Sequence, residues 1–154
     1  MKKKRVRPIA IAVVANGDRM LVAEGHDEDT RETFYRPFGG KIEFGEQGAE
    51  TIVRELREEL GIALVNPRYL GTLESIFDFN GKPHHEIVLV YAVDLADRSL
   101  YRQEKIDHRD HDGIRFRGMW KPLSDFGAGS ILYPKGLLEL LRGAVPVKNP
   151  ADQQ

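Results

Sequence analysis

The chain has no cysteine. Disulfides and thiolate metal sites are therefore excluded, and the composition fits a reducing cytosol, so a cytoplasmic protein is expected. It also lacks an excess of either charge: 23 Lys and Arg stand against 24 Asp and Glu, a formal net charge of −1. That balance provides no bulk attraction to a nucleic acid polymer or a membrane surface. No apolar run approaches the roughly 20 residues that span a bilayer. Repeats and low-complexity segments are missing as well, and no set of histidines has zinc-ligand spacing. What remains is ordinary for a soluble globular protein: 154 residues, 41% hydrophobic and 31% charged. One domain over 1–154 with a proper core is expected, with flexible tails at 1–6 and 145–154.

The informative stretch is Gly40 to Ile62, GKIEFGEQGAETIVRELREELGI. Its periodicity predicts a helix from Gln47 to Leu60, with Ala49, Ile52, Val53, Leu56 and Leu60 as the buried stripe. Gly61 sits where a helix C-terminal glycine belongs. Glu55, Glu58 and Glu59 fall together on another face, because positions three and four apart are neighbours. Like charges at that spacing repel, and a hard divalent cation would convert the repulsion into attraction. Mg²⁺ takes oxygen ligands and keeps several waters, so it suits such a cluster and would bridge to phosphate oxygens. A solvated acidic helix face is the plainer account of three glutamates taken alone.

The wider spacing decides between these accounts. Gly40, Glu46, Arg54-Glu55-Leu56, Glu58-Glu59 and Gly61-Ile62 stand at G-x5-E-x7-REL-x-EE-x-GI. At background residue usage a match at a given start is on the order of one in a billion. This pattern resembles, without departure, the signature of the Nudix hydrolases. The resemblance implies an α/β fold, an α/β/α sandwich with a curved mixed β-sheet, and the motif as loop, helix and loop. It implies metal-dependent hydrolysis of a nucleoside diphosphate linked to another group, X, with Mg²⁺ or Mn²⁺ as cofactor. Glu55, Glu58 and Glu59 match the metal-holding positions, and one of the three, in the family most often that of Glu55 or Glu58, also serves as general base. Glu46 pairs with Arg54 to fix the loop against the helix, and Arg54 scaffolds or orients the site. Gly39 and Gly40 allow close backbone approach and positive φ in the loop before the helix.

The rest of the chain is read in order. Met1–Arg7 is basic, and Pro8–Ala15 is too short for the core of a secretory signal. A hairpin is expected instead: strand Arg7–Ala15, a turn at Asn16-Gly17 and strand Arg19–Glu24. Gly25–Glu32 reads as a loop and Thr33–Phe38 as one strand entering the motif. Arg36 is a candidate phosphate clamp, since guanidinium grips phosphate as a fork. Lys41 is a further candidate, and Phe34 or Tyr35 could stack on a base. Arg68–Phe79 and His84–Leu95 are expected to form an antiparallel hairpin about the turn at Asn80–Pro83. Glu86 lies at the start of the second strand, where the resemblance implies a glutamate that joins the metal site or acts as base. Ala96–Gly113 reads as a long charged loop with a helical turn, Ile114–Lys121 as a strand, and Pro134–Arg142 as a closing helix.

The expected substrate is a small-molecule nucleotide, not a nucleic acid polymer, with no membrane partner; the resemblance also allows a homodimer. Three substrate classes stay open: nucleoside triphosphates, nucleotide sugars such as ADP-ribose, and dinucleoside polyphosphates. The alternative is a nucleotide-binding sensor on the same fold that has lost catalysis. Every motif carboxylate is present, which favours the enzyme.

Overall fold

The computed structural model describes residues 3–144. The tail expected at 145–154, and the first two residues of the one expected at 1–6, lie outside the described residues. Strand β1 (Val6–Asn16) is the axis of the fold. Its sequence VRPIAIAVVAN alternates faces, as a strand of period two must. Ala10, Ala12 and Val14 join a core with helix α1 (Gly48–Leu60), and Ile9, Ile11 and Val13 join a second core with helix α2 (Leu137–Ala144). Apolar residues on both faces mark a sheet covered on both sides.

Four strands build this central layer. Strand β4 (Phe38–Lys41) pairs antiparallel with one edge of β1, from Ile9 opposite Lys41 to Ala12 opposite Phe38. Strand β6 (Lys82–Leu95) pairs parallel with the other edge, from Val6 opposite His85 to Val14 opposite Val93. Strand β5 (Leu64–Phe79) returns antiparallel along β6. The expected hairpin is therefore present and longer at both ends. The turn of β1 into β2 (Arg19–His26) pairs Ala15 with Met20. Strand β2 then carries β8 (Arg115–Pro122) and, further along, β3 (Thr33–Arg36), which pairs with β9 (Ile131–Leu132).

Two expectations are corrected here. Thr33–Phe38 is not one strand but β3 and the start of β4, divided at Pro37. Proline has no N–H to give a ladder, so the chain changes partners there, leaving β2 for β1. The loop expected over Ala96–Gly113 contains a 3-10 turn at Arg98–Arg102, as foreseen, but also strand β7 (Lys105–Arg109), paired with β8. Its charges hid it: only Ile106 of the five is buried, as befits an edge strand that presents polar side chains.

Candidate active site

Helix α1 is closed at both ends by its own sequence. Glu50 accepts the backbone N–H of Gln47 at 3.0 Å, and Gly61 adopts the left-handed conformation (φ 66°). The Gly61 N–H then reaches the Arg57 carbonyl at 2.9 Å. The buried face differs from the expected stripe: Gly48, Thr51, Ile52, Leu56 and Leu60 are buried, while Ala49 and Val53 are only partly so. Gly48, Ile52, Leu56 and Leu60 form one row of fourth residues, and Thr51, Glu55 and Glu59 form the row beside it. Two of the three motif glutamates thus extend the sheet-facing side of the helix. Apolar character alone misplaced that side, because Thr51 and the glutamates do not register as buried.

Arg54 organises the carboxylates. It grips Glu46 through two nitrogens, Nε to Oε2 at 2.8 Å and Nη2 to Oε1 at 3.0 Å. Its Nη1 donates to Glu55 at 2.9 Å and to Glu58 at 3.4 Å, and its Nη2 to the Lys41 carbonyl at 3.1 Å. Glu46 also accepts the Thr51 hydroxyl at 2.7 Å. Hydrogen bonds from Arg54 and then Thr51 hold the Glu46 carboxyl down to about 2. In return Glu46 raises the Arg54 pKa still further above its ordinary value. One guanidinium therefore ties strand β4, the loop after it and the helix together.

Glu59 has the opposite environment. Burial, then a hydrogen bond with Glu55 and its charge, push Glu59 up to about 9, against the pull of the Arg36 guanidinium. Burial and the neighbouring Glu55 thus both favour the neutral form of Glu59. Gly40 makes room for Glu55: a methyl group there would overlap its carboxylate. A methyl at Gly39 would overlap the Ala10 carbonyl of β1. The close approach expected of this pair is present, but the positive φ is not. Both glycines lie in strand β4, and neither is among the residues of positive φ.

The donor set fits a hard divalent cation. It is oxygen only and gathers three carboxylates on one helix, two of them already drawn to the Arg54 guanidinium. Among the described residues no three acidic or imidazole side chains stand together so that they could hold a metal ion as they are placed. Mg²⁺ takes few carboxylates and completes its shell with water and phosphate, so an open set is what it uses.

A cavity of about 300 Å³ opens on the opposite face of the sheet, floored by Ile9, Ile11 and Val88. Arg36 lines it and also acts on Glu59, so this residue belongs to both regions. Phe34 lines the cavity as well; Tyr35 does not, packing instead against Phe126 with Lys121 over its ring at 4.3 Å. Glu86 is buried in the same cavity. Arg7 donates to it at 2.8 Å and contacts His84 at 2.9 Å. Among the described residues no hydrogen bond or ion pair links Glu86 to Glu55, Glu58 or Glu59. The Lys41 side chain is exposed, and its backbone carbonyl is the part that meets the site.

Sequence reasoning missed Arg7, Ser75, Phe77, Phe79 and Tyr133, all of which line the cavity. Three carried a signal. Ser75, Phe77 and Phe79 alternate along β5, and the first two stand opposite Glu86 and His84 of β6.

A family model for the NUDIX domain matches residues 4–136. The chain belongs to the Nudix family. Among curated relatives of this Nudix protein, the NAD-capped RNA hydrolase NudC of Pseudomonas aeruginosa (strain LESB58) is 28% identical over 100 residues, 65% of this chain and 33% of the relative. The chain thus spans about a third of that relative's length. The uncharacterized Nudix hydrolase YvcI of Bacillus subtilis is 28% identical over 87 residues, 56% of this chain and 50% of that protein. The fold is shared with a NUDIX hydrolase from Nitrosomonas europaea, with a TM-score of 0.64 at 14% identity over 97% of this chain and 96% of that one. It is also shared with the E. coli ORF135 protein, with a TM-score of 0.59 at 22% identity over 94% and 96% of the two chains.

Proposed function

We propose that this Nudix protein is a metal-dependent pyrophosphohydrolase, acting in the cytoplasm on a nucleoside diphosphate linked to a second group. The observation that carries this reading is the set of motif carboxylates on one helix, with Glu55 and Glu58 bonded to Arg54, Arg54 gripped by Glu46, and Gly40 leaving room for the Glu55 carboxylate. Glu55, Glu58 and Glu59 would hold Mg²⁺ or Mn²⁺. Bound there, the cation would neutralise pyrophosphate oxygens and lower the pKa of a water.

The remaining work falls to the chain's own side chains. Arg36 reaches the diphosphate as a bidentate donor. Glu55 or Glu58 takes the proton of the attacking water as general base. Arg54, itself locked by Glu46, keeps the Glu55 carboxylate in place under Gly40. The cavity holds the nucleoside, leaving the diphosphate at Arg36. Positioning and charge stabilisation are then sufficient, and no covalent nucleophile is required. Nucleoside triphosphates, nucleotide sugars and dinucleoside polyphosphates all present this diphosphate, as does the NAD cap named for the Pseudomonas relative.

The test is product release from a panel of these compounds, with Mg²⁺, with Mn²⁺ and with chelator. Metal-dependent cleavage at a phosphoanhydride is the expected result. Tight nucleotide binding with no turnover under any condition would replace the enzyme with a sensor.

A further inference from the structure

Strand β5 ends the central layer, and its outer edge has no partner strand among the described residues. Such an edge is a row of backbone N–H and C=O groups open to another strand, and folded proteins blunt it with proline, lysine or a covering segment. From Tyr69 to Phe79, YLGTLESIFDF, the strand has no proline and no basic residue. Apolar side chains are exposed on it instead. Of the six large apolar residues exposed among the described residues, three lie on β5: Val65, Tyr69 at 59% and Ile76 at 65%. A fourth, Val6, stands in one cross-strand row with Ile76, through His85 of β6.

The spacing of these side chains defines which strand fits. Tyr69 stands opposite Tyr91 and Ile76 opposite His85, so both project from the face of the sheet that carries α1. Leu73 lies between them, three residues before Ile76 and four after Tyr69. The extra residue is absorbed by the bulge between Tyr69 and Gly71. Measured along β6, Tyr69, Leu73 and Ile76 stand opposite Tyr91, Val88 and His85, so the outer two are equally far from Leu73. A two-fold axis through Leu73 therefore lays an antiparallel copy of β5 along the edge with Tyr69 against Ile76 of the second copy, on both sides of the axis. An aromatic beside a β-branched residue is a favoured cross-strand pair. By the same measure Thr72 meets Glu74, Arg68 meets Phe77 and Val65 meets Phe79.

We infer that the outer edge of β5 is a self-association surface, where two copies of this chain join antiparallel across Leu73 and continue the central layer as one sheet through both. The occupant is a second copy because the match is internal to the strand: its own sequence, reversed about Leu73, covers its exposed apolar residues. Charge agrees with this register, which opposes no two like charges. An axis through Glu74 would set that carboxylate against itself, and a parallel copy in register would place Glu74 beside Glu74 and Asp78 beside Asp78. Size agrees as well. Pairing Val65–Phe79 with itself supplies about ten backbone hydrogen bonds, the number a standard interface carries. The inference does not depend on the enzymatic reading.

The experiment has two arms. Sedimentation equilibrium of the intact protein is expected to give a dimer, and Ile76→Lys, a charge at an exposed edge position, should raise its dissociation constant at least tenfold; circular dichroism establishes that each variant is folded. The register is read by crosslinking, which the absence of native cysteine makes clean. A chain with both Tyr69→Cys and Ile76→Cys is expected to run as a covalent dimer on a non-reducing gel after mild oxidation, since directly opposed residues lie within disulfide reach. Within one chain the two positions are roughly 20 Å apart, too far to join. Either single substitution should stay uncrosslinked, because its counterpart in the second copy is also roughly 20 Å away. A monomer would overturn the inference. So would a dimer that Ile76→Lys leaves intact, or one in which the double variant crosslinks no better than the singles.

Discussion

Two clusters of buried or half-buried charge face opposite sides of one sheet, and they are built on opposite principles. Around α1, like charges are gathered: Glu55, Glu58 and Glu59, with Arg54 already committed to Glu46, Glu55 and the Lys41 carbonyl. In the cavity, opposite charges are paired, Arg7 on Glu86. The first cluster is short of positive charge and the second is balanced. Under the proposed function the first would take a cation and the second the nucleoside. Arg36 lines the cavity, and its charge also reaches Glu59.

The contrast breaks most completely at Glu59. Glu59→Gln removes the surplus charge but keeps the shape and a hydrogen bond to Glu55. Turnover should fall by about a hundredfold or more, with nucleotide binding and the melting temperature nearly unchanged. Near-normal activity at saturating Mn²⁺ would remove Glu59 from the site.

The adjacent glycines separate site from fold. Gly40→Ala meets the tip of the Glu55 side chain, which can swing away, so activity should drop about 10- to 100-fold with little loss of stability. Gly39→Ala meets the backbone of β1, which cannot yield, and should cost about 1–3 kcal/mol of stability. Denaturant unfolding and turnover measured on both proteins check this; the reverse ordering would refute the placement of β4 against β1.

Proton linkage sharpens the comparison further. The folded protein holds Glu59 up to about 9 against an ordinary 4.5, so its contribution to stability is complete below about 4.5. That contribution declines as pH rises toward 9, because the unfolded chain gives up this proton first. Metal-free protein should therefore lose denaturant resistance across that window, and Glu59→Gln should flatten the decline. Parallel curves for the two proteins would mean that the fold does not favour the neutral form of Glu59. The smallest effect is expected at Lys41, where the site uses only the main-chain carbonyl: Lys41→Ala should change kcat/KM by less than about twofold.

The helix cluster was legible because all its members lie within one short stretch, at spacings a single helix converts into neighbours. The helix ends, at Gln47 and Gly61, and the hairpin of β5 and β6 were legible for the same local reason. The orientation of the helix was not, since Thr51 is buried through its bond to Glu46 and Glu59 through the company of Glu55, and neither is apolar. Strand β7 was invisible because an edge strand has one buried residue to show. The cavity was the least accessible to reading. Arg7 and Glu86 become neighbours only when β1 lies parallel to β6 in one particular register, and nothing near Arg7 in the sequence announces that pairing.

Strand β1 carries a further consequence for how this protein can change. Its even-numbered residues from Ala10 to Val14 include two alanines and pack in the core with α1, while the odd-numbered and bulkier Ile9, Ile11 and Val13 pack in the core with α2. The strand therefore works as a reading frame. A single inserted residue near Pro8 would exchange the two sets, lifting the acidic helix off its seat with isoleucines and opening a void on the far side. An insertion of the same size between β7 and β8, at the exposed His111–Gly113 turn, would disturb neither layer. In a lineage of such chains, length should vary freely at the turn and hardly at all along β1.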